Sequence, residues 1–360
     1  MLYCGDMNGT ERMALATCLA LRPHYADVVL LAPRGRSDWT LERAAQTMPN
    51  LRVESFDGGA DLLHRLLRLC SGVPRVDFIS ASVGHALAGV LLAKSLLRAG
   101  THLHVVHGGS LHLSRDLRRK RLLNWWPVRL VAVSPFIARL LAASGVHRRK
   151  IVVIENFLLE DGAMSAPRQE HGPDRMPRGL RYRVAVVARV VPMKRLDLIV
   201  TAARLGLLDD VLIEIFGGGY ALEQHRAQAA GLPNVVFHGY VRDVAARIAG
   251  ADAVLHTNAN EPFGLVILEA FRARVPVVAP DAGGAADIVQ DRLNGLLYRA
   301  DDVRSMCAAL RSVFDMPQAE RRAMVERGHA DVMLHYSVER GAKQYAQALG
   351  LAAQAPERRP

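Results

Sequence analysis

The sequence has 360 residues, 50% of them hydrophobic, and a formal net charge of +11. That length can build two domains with full cores, while four widely spaced cysteines (Cys4, Cys18, Cys70, Cys307) exclude a Cys-x-x-Cys pair or a disulfide framework. The longest apolar run, Ala86 to Ala93, ends at Lys94 and is too short to span a bilayer, and the start Met1 to Asp6 lacks the basic and apolar regions of a signal peptide. A cytoplasmic protein is therefore expected, soluble or peripheral on a membrane. Lys and Arg number 46 against 35 Asp and Glu, a balance that suits an anionic partner: nucleic acid, a phosphorylated substrate or a membrane surface.

Near the N-terminus, Asn8-Gly9-Thr10-Glu11 opens an amphipathic helix, either as a simple helix start or as a ligand loop. Short apolar runs then alternate with helix-length stretches: Val28 to Leu31, Val76 to Ile79, Leu103 to Val106, Leu130 to Val133 and Ile151 to Ile154. Such near-continuous apolar strands predict a parallel sheet covered on both faces. His107 ends the third of these runs, either as a structural residue or facing a ligand. His102 and His104 share one strand face, with His107 on the opposite parity, and no Cys or acid cluster completes a metal set. Arg115, Arg118, Arg119, Lys120 and Arg121, followed by Trp125 and Trp126, form the densest basic stretch. It reads either as a solvated face or as a surface attracted to anionic lipid.

The stretch from Glu160 to Arg181 is rich in Pro, Gly and charge and reads as a linker. The alternation resumes with Arg183 to Ala188, Val211 to Phe216, Val235 to Phe237, Ala253 to Leu255 and Val275 to Val278, giving a second doubly wound domain. Ligands in such sheets bind beyond the carboxyl ends of the strands. Arg189 and Lys194 follow the first of these strands, as surface cations or as partners of a phosphate. Phe216-Gly217-Gly218-Gly219 is too short for a dinucleotide fingerprint and, by itself, marks a tight turn. The segment Glu261-Pro262-Phe263-Gly264-Leu265-Val266-Ile267-Leu268-Glu269 reads as a loop entering a buried helix. The amides of Phe263, Gly264 and Leu265 at that helix start form an anion or hydroxyl site. Glu269 falls within an apolar helix and needs a partner, such as a sugar diol; alternatively the two acids are a helix-start acid and a solvated polar residue.

Taken together, Glu261 to Glu269, the upstream Phe216 to Gly219, and the downstream Val275 to Pro280 with Gly283-Gly284 resemble the C-terminal half of family 4 glycosyltransferases. That resemblance extends from Asn8 to about Tyr345. It implies an α/β GT-B fold, with two doubly wound Rossmann-like domains facing across a cleft. The expected division is an acceptor-side domain over 1–160, a linker over 161–181 and a nucleotide-sugar domain over 182–335. Residues 336–360 would supply a helix crossing back, from about Val338 to Leu349, and a short tail.

The activity implied is retaining transfer of a hexose-type sugar from a nucleoside diphosphate to a saccharide or lipid-linked acceptor, as in bacterial cell-surface polysaccharide synthesis. By the same resemblance, Arg189, Lys194 and the helix start at Phe263 to Leu265 stabilise the departing diphosphate. Glu269 holds the ribose, Glu261 orients the donor sugar, and His107 contributes from across the cleft. Gly9, Gly217, Gly239 and Tyr240 line the donor. Family members usually carry Gly where this chain has Asn8 and Arg195, and Glu where it has Asp287; Asn294 to Leu297 corresponds to a tight turn. No Asp-x-Asp occurs in the chain, consistent with a site that uses Arg and Lys rather than a metal or other cofactor. The competing readings are an epimerase or phosphorylase of the same architecture and a basic nucleic-acid-binding protein. No nucleic-acid motif supports the last.

Overall fold

The computed structural model describes residues 9–33, 51–81, 91, 100–108, 113–158, 176–241 and 243–351. The chain divides into two compact units, Met1–Leu159 with Ser337–Pro360, and Glu160–Tyr336.

In the first unit, β1 (Val28–Pro33) pairs in parallel with β2 (Leu51–Phe56). Strands β3 (Phe78–Ser80), β4 (His102–Val106), β5 (Arg129–Ala132) and β6 (Ile151–Val153) form a second parallel set in chain order. All five residues of β4 are buried, as a central parallel strand requires. The β2 strand is an addition to the sequence-based expectation; its pattern, LRVESF, places polar residues between buried Leu51 and Phe56 and lacks a continuous apolar run. The helix Val338–Leu349 belongs to this unit and packs on the helix Gly9–Leu21. Its last carbonyls would otherwise lack partners. Arg75 Nη2 and Thr101 Oγ1 donate to Leu349 O at 3.0 and 3.1 Å, and Arg129 Nη1 donates to Ala348 O at 3.2 Å.

The second unit is one six-stranded parallel sheet: β7 (Tyr182–Val187), β8 (Val211–Phe216), β9 (Val235–Gly239), β10 (Ala253–Leu255), β11 (Val277–Pro280) and β12 (Leu296–Tyr298). The spatial order is β12-β11-β10-β7-β8-β9. The chain thus builds outward from β7 in one direction, then returns to β10 on its other side and builds outward again. That reversal between β7 and β10 is the topological switch point, where α/β sheets open a crevice for ligands. Val184, Val186, Ile213, Ile215 and Leu255 fill one continuous core, each contributing roughly 1.5–3 kcal/mol of burial. Glu214, an acid inside the buried β8, is compensated by Arg183 Nη1 at 2.6 Å and His238 Nε2 at 2.8 Å.

One local expectation is corrected here. Leu296 and Leu297 are not part of a turn: the turn covers Arg292 to Asn294, and the two leucines belong to β12, paired with Val278 and Ala279. Their apolar side chains gain more from extending the sheet than from exposure in a loop.

Candidate active site

The site assembles at the carboxyl ends of β7 and β10. After β7 the chain passes through Arg189 and enters a short 3-10 turn, Pro192–Lys194. After β10 it passes His256, Thr257 and Asn258 to reach Glu261. The two segments meet: Lys194 Nζ lies 2.5 Å from Glu261 Oε2, both side chains being mostly buried. Thr257 Oγ1 donates to the Lys194 carbonyl at 2.6 Å, fixing the backbone of one partner to the strand end that carries the other. Asn258 Nδ2 donates to the same Glu261 oxygen at 3.0 Å. Burial pushes the Glu261 carboxyl up, but the Lys194 charge, His256 and the two hydrogen bonds outweigh it and hold the group at about 2.

Two glycine motifs shape this region by close backbone approach. A Cβ on Gly217 would sit 2.0 Å from Ala188 O, and one on Gly219 would sit 2.2 Å from Val190 O. The triple-glycine loop therefore lies flat against the segment carrying Arg189. Val190 N donates to Gly218 O at 2.9 Å, and Gly217 N donates to Gly239 O at 2.8 Å. The ends of β7, β8 and β9 are so joined into one surface, on which Arg189 and Tyr240 are exposed, Tyr240 at 79%. The second motif, Gly283-Gly284, presses on the loop before the next helix. A Cβ on Gly284 would meet Pro262 O at 2.5 Å, and Gly284 N donates to Glu261 O at 2.6 Å.

The helix Leu265–Arg272 starts after Gly264, whose φ of 108° is a left-handed conformation. Gly264 has no side chain to cap the first turn, so the amides at Leu265 and Val266 are left for another acceptor. Phe263 is buried beside Tyr336, with ring centroids 5.9 Å apart. Glu269 is buried in the same helix at 4% exposure. Arg195 stands in the left-handed conformation (φ 53°, ψ 35°) that a glycine would adopt, so the backbone path survives the substitution; its guanidinium pairs with Asp197 and Asp301.

In the first unit, His107 follows the end of β4. Burial pulls its imidazole down to about 4, so it is neutral at physiological pH, and its Nε2 has no hydrogen-bond partner among the described residues. Gly9 begins the first described helix, and Asn8 lies outside the described residues. The basic stretch needs a correction. Lys120 is buried at 5% exposure, and its Nζ lies 2.6 Å from His104 Nε2. An ammonium can only donate, so His104 is neutral, with its Nδ1 proton donated to Ser80 Oγ at 2.8 Å. Ser80 in turn lies 2.9 Å from His102 Nε2. Arg118, Arg119, Arg121, Leu122, Trp125 and Trp126 do remain exposed, Trp125 at 87%; the side chain of Arg115 lies outside the described residues. No group of three His, Cys, Asp or Glu side chains suited to a metal occurs among the described residues.

Sequence reasoning missed His256, Thr257 and Asn258. The only signal in the sequence is their position directly after the apolar run Ala253 to Leu255; their burial emerges with the fold.

Two parallel-sheet α/β units make the fold one of the GT-B class of glycosyltransferases. Residues 7–158 match Glycosyltransferase Family 4 and residues 175–331 match Glycosyl transferases group 1; the chain belongs to these glycosyltransferase families. The solved structure of Anabaena Alr3699/HepE in complex with UDP-glucose superposes with a TM-score of 0.79 over 97% of this chain and 98% of that one, at 20% identity, a likeness of fold. Among curated proteins, a D-inositol 3-phosphate glycosyltransferase of Salinispora tropica is 32% identical over 235 residues, 60% of this chain and 45% of that protein. A GDP-mannose-dependent alpha-mannosyltransferase of Mycolicibacterium smegmatis is 36% identical over 169 residues, 45% of this chain and 41% of that protein. The chain thus spans less than half the length of these two relatives. Among the described residues, no helix is long and apolar enough to cross a membrane.

Proposed function

We propose that the chain transfers a hexose-type sugar, with retention, from a nucleoside-diphosphate sugar to a saccharide or lipid-linked saccharide, in the synthesis of a cell-surface glycan. The observation that carries this reading is the Lys194–Glu261 pair at the β7/β10 switch point, flanked by the Gly217–Gly219 surface and the uncapped start of the Leu265–Arg272 helix. A diphosphate departing here would meet a cation and free amides, with a carboxylate beside them for sugar hydroxyls. Arg189 and Lys194 take the growing charge of the leaving group. Glu269 accepts from the two ribose hydroxyls, Glu261 orients the donor sugar, and Gly239 and Tyr240 border the base. His107 is assigned to the reaction from the family resemblance, as a neutral hydrogen-bonding group. The chemistry is charge stabilisation by the chain's own cations, without a metal.

The test is release of free nucleoside diphosphate from UDP-, GDP-, ADP- and dTDP-sugars, with and without a panel of saccharide and lipid-linked acceptors. Acceptor-dependent release supports a transferase; conversion of the donor without any acceptor points to an epimerase instead. Glu269→Ala should weaken donor binding by about 2–3 kcal/mol, the cost of losing a charged double contact. Unchanged affinity in a titration would remove the ribose role.

The acceptor reading extends to location: a cytoplasmic enzyme that docks on the inner face of a membrane. Arg118, Arg119, Arg121, Trp125 and Trp126 present cations and indoles together on one exposed segment. Each cation near an anionic leaflet contributes about 1 kcal/mol, and salt screens it. Cosedimentation with phosphatidylserine vesicles should be strong at low salt, fade with added salt, and vanish in the triple variant Arg118→Ser, Arg119→Ser, Arg121→Ser. A wild type that ignores such vesicles at low salt would point to a soluble acceptor.

A further inference from the structure

His256 has no role among those assigned above. It is buried at 5% exposure at the end of β10, and its carbonyl is fixed by the Tyr298 hydroxyl at 3.0 Å. Its Nε2 has no hydrogen-bond partner among the described residues and stands 3.6 Å from Glu261 Oε2. That oxygen is the same one that Lys194 and Asn258 reach, so three nitrogens converge on it and only two are bonded. A buried imidazole nitrogen so close to a carboxylate without bonding to it is costly to leave unsatisfied.

The charges facing His256 explain its state in the free protein. Burial pulls its basicity down, Glu261 raises it, Lys194 lowers it, and a backbone bond at Asn258 raises it; the balance lies at about 4. At neutral pH the ring is therefore uncharged. A bound diphosphate alters two of these influences together. Its negative charge favours a cation nearby, and its oxygens compete with Glu261 for the Lys194 ammonium.

We propose that His256 is a positioning residue for Glu261: when a nucleotide sugar engages Lys194, His256 takes one proton from solvent at Nε2 and donates it as a hydrogen bond to Glu261 Oε2. The proton comes from the solvent or its buffer acid, no other covalent bond is made or broken, and the Lys194 hydrogen bond to Glu261 is exchanged for one to the diphosphate. Glu261 then keeps a charged partner while Lys194 serves the diphosphate, and its carboxylate stays oriented toward the sugar. This inference rests on the donor site proposed above. It also fixes a sign. Donor binding raises the proton affinity of His256, so the affinity it adds is gained as pH falls through the pKa of the complex and is lost as pH rises above it.

The measurement is isothermal titration calorimetry at pH 6.5 with UDP-glucose and GDP-mannose, in PIPES, ACES and imidazole buffers. The phosphates of a nucleotide sugar do not titrate in this range, so a heat that varies with buffer ionisation reports protons taken up by the protein. The expected result is uptake of about half a proton or more per donor bound, for a group moved from well below to near the working pH. His256→Gln, which keeps a neutral amide donor, should bind the donor with no uptake. Because His256 is buried and the variant could misfold, the wild-type buffer dependence stands as a separate test. Binding without buffer-dependent heat, or equal uptake in His256→Gln, overturns the role of His256 alone. Absence of binding by both nucleotide sugars overturns the donor site and this inference with it.

Discussion

Replacing Lys194 with methionine is expected to slow sugar transfer by about 10²- to 10³-fold, the usual loss when one preorganised charge partner of a transition state is removed. Methionine keeps the length and apolar stem of the side chain. The Thr257 contact to the Lys194 carbonyl is a backbone contact and remains, so the loop stays in place. What disappears is the ammonium at the end of β7. The same change removes the main charge that holds the Glu261 carboxyl at about 2. A carboxyl held below its ordinary value of 4.5 contributes stability that is fully present above that value and is lost as pH falls toward 2. In Lys194→Met that contribution shrinks, so the variant should be less stable than the wild type above about pH 4.5, with the gap closing as pH falls toward 2. Melting temperatures across that window, set beside turnover at neutral pH, separate the two effects. Near-normal turnover would place the diphosphate elsewhere.

Gly217→Ala and Gly219→Ala are expected to cost about 3 kcal/mol or more of stability and to abolish donor binding, because neither added methyl fits. At 2.0 Å from Ala188 O and 2.2 Å from Val190 O, both new Cβ atoms would collide with backbone rather than with a side chain that can swing away. The backbone must part, breaking the Val190 N to Gly218 O bond and moving Arg189 away from the joined ends of β7, β8 and β9. Gly218 is the internal control. A Cβ there meets nothing within 4 Å, so Gly218→Ala should unfold in urea nearly as the wild type does. Equal stability in all three variants would contradict the close approach seen at this loop.

The sequence made the second unit legible because its buried strands are short, continuous Val/Leu/Ile runs bounded by glycine and proline. Its glycine motifs have a physical basis: Gly217, Gly219, Gly283 and Gly284 each sit where a carbonyl or amide leaves no room for a side chain. Other features depend on contacts between residues distant in the chain and carry no local pattern. That Lys194 and Glu261 meet follows from β10 inserting beside β7, an adjacency of strands far apart in sequence. Lys120 illustrates the same limit. In sequence it belongs to a run of cations, but the helix turns it inward, where His104 and Ser80 supply a polar lining that the strand pattern alone does not reveal. Without the fold, His256 to Asn258 read as three polar positions after a strand, like any solvated loop.

The central claim is that a nucleotide sugar binds at the β7/β10 switch point of the second unit, and a ligand that binds only the folded state raises its melting temperature. Thermal unfolding of the wild type, Lys194→Met and Glu269→Ala should therefore be followed against UDP-, GDP-, ADP- and dTDP-sugars. The account predicts that sugars of one base raise the wild-type melting temperature and that both variants lose most of that rise. No rise with any of the four, or a rise undiminished in both variants, would contradict it.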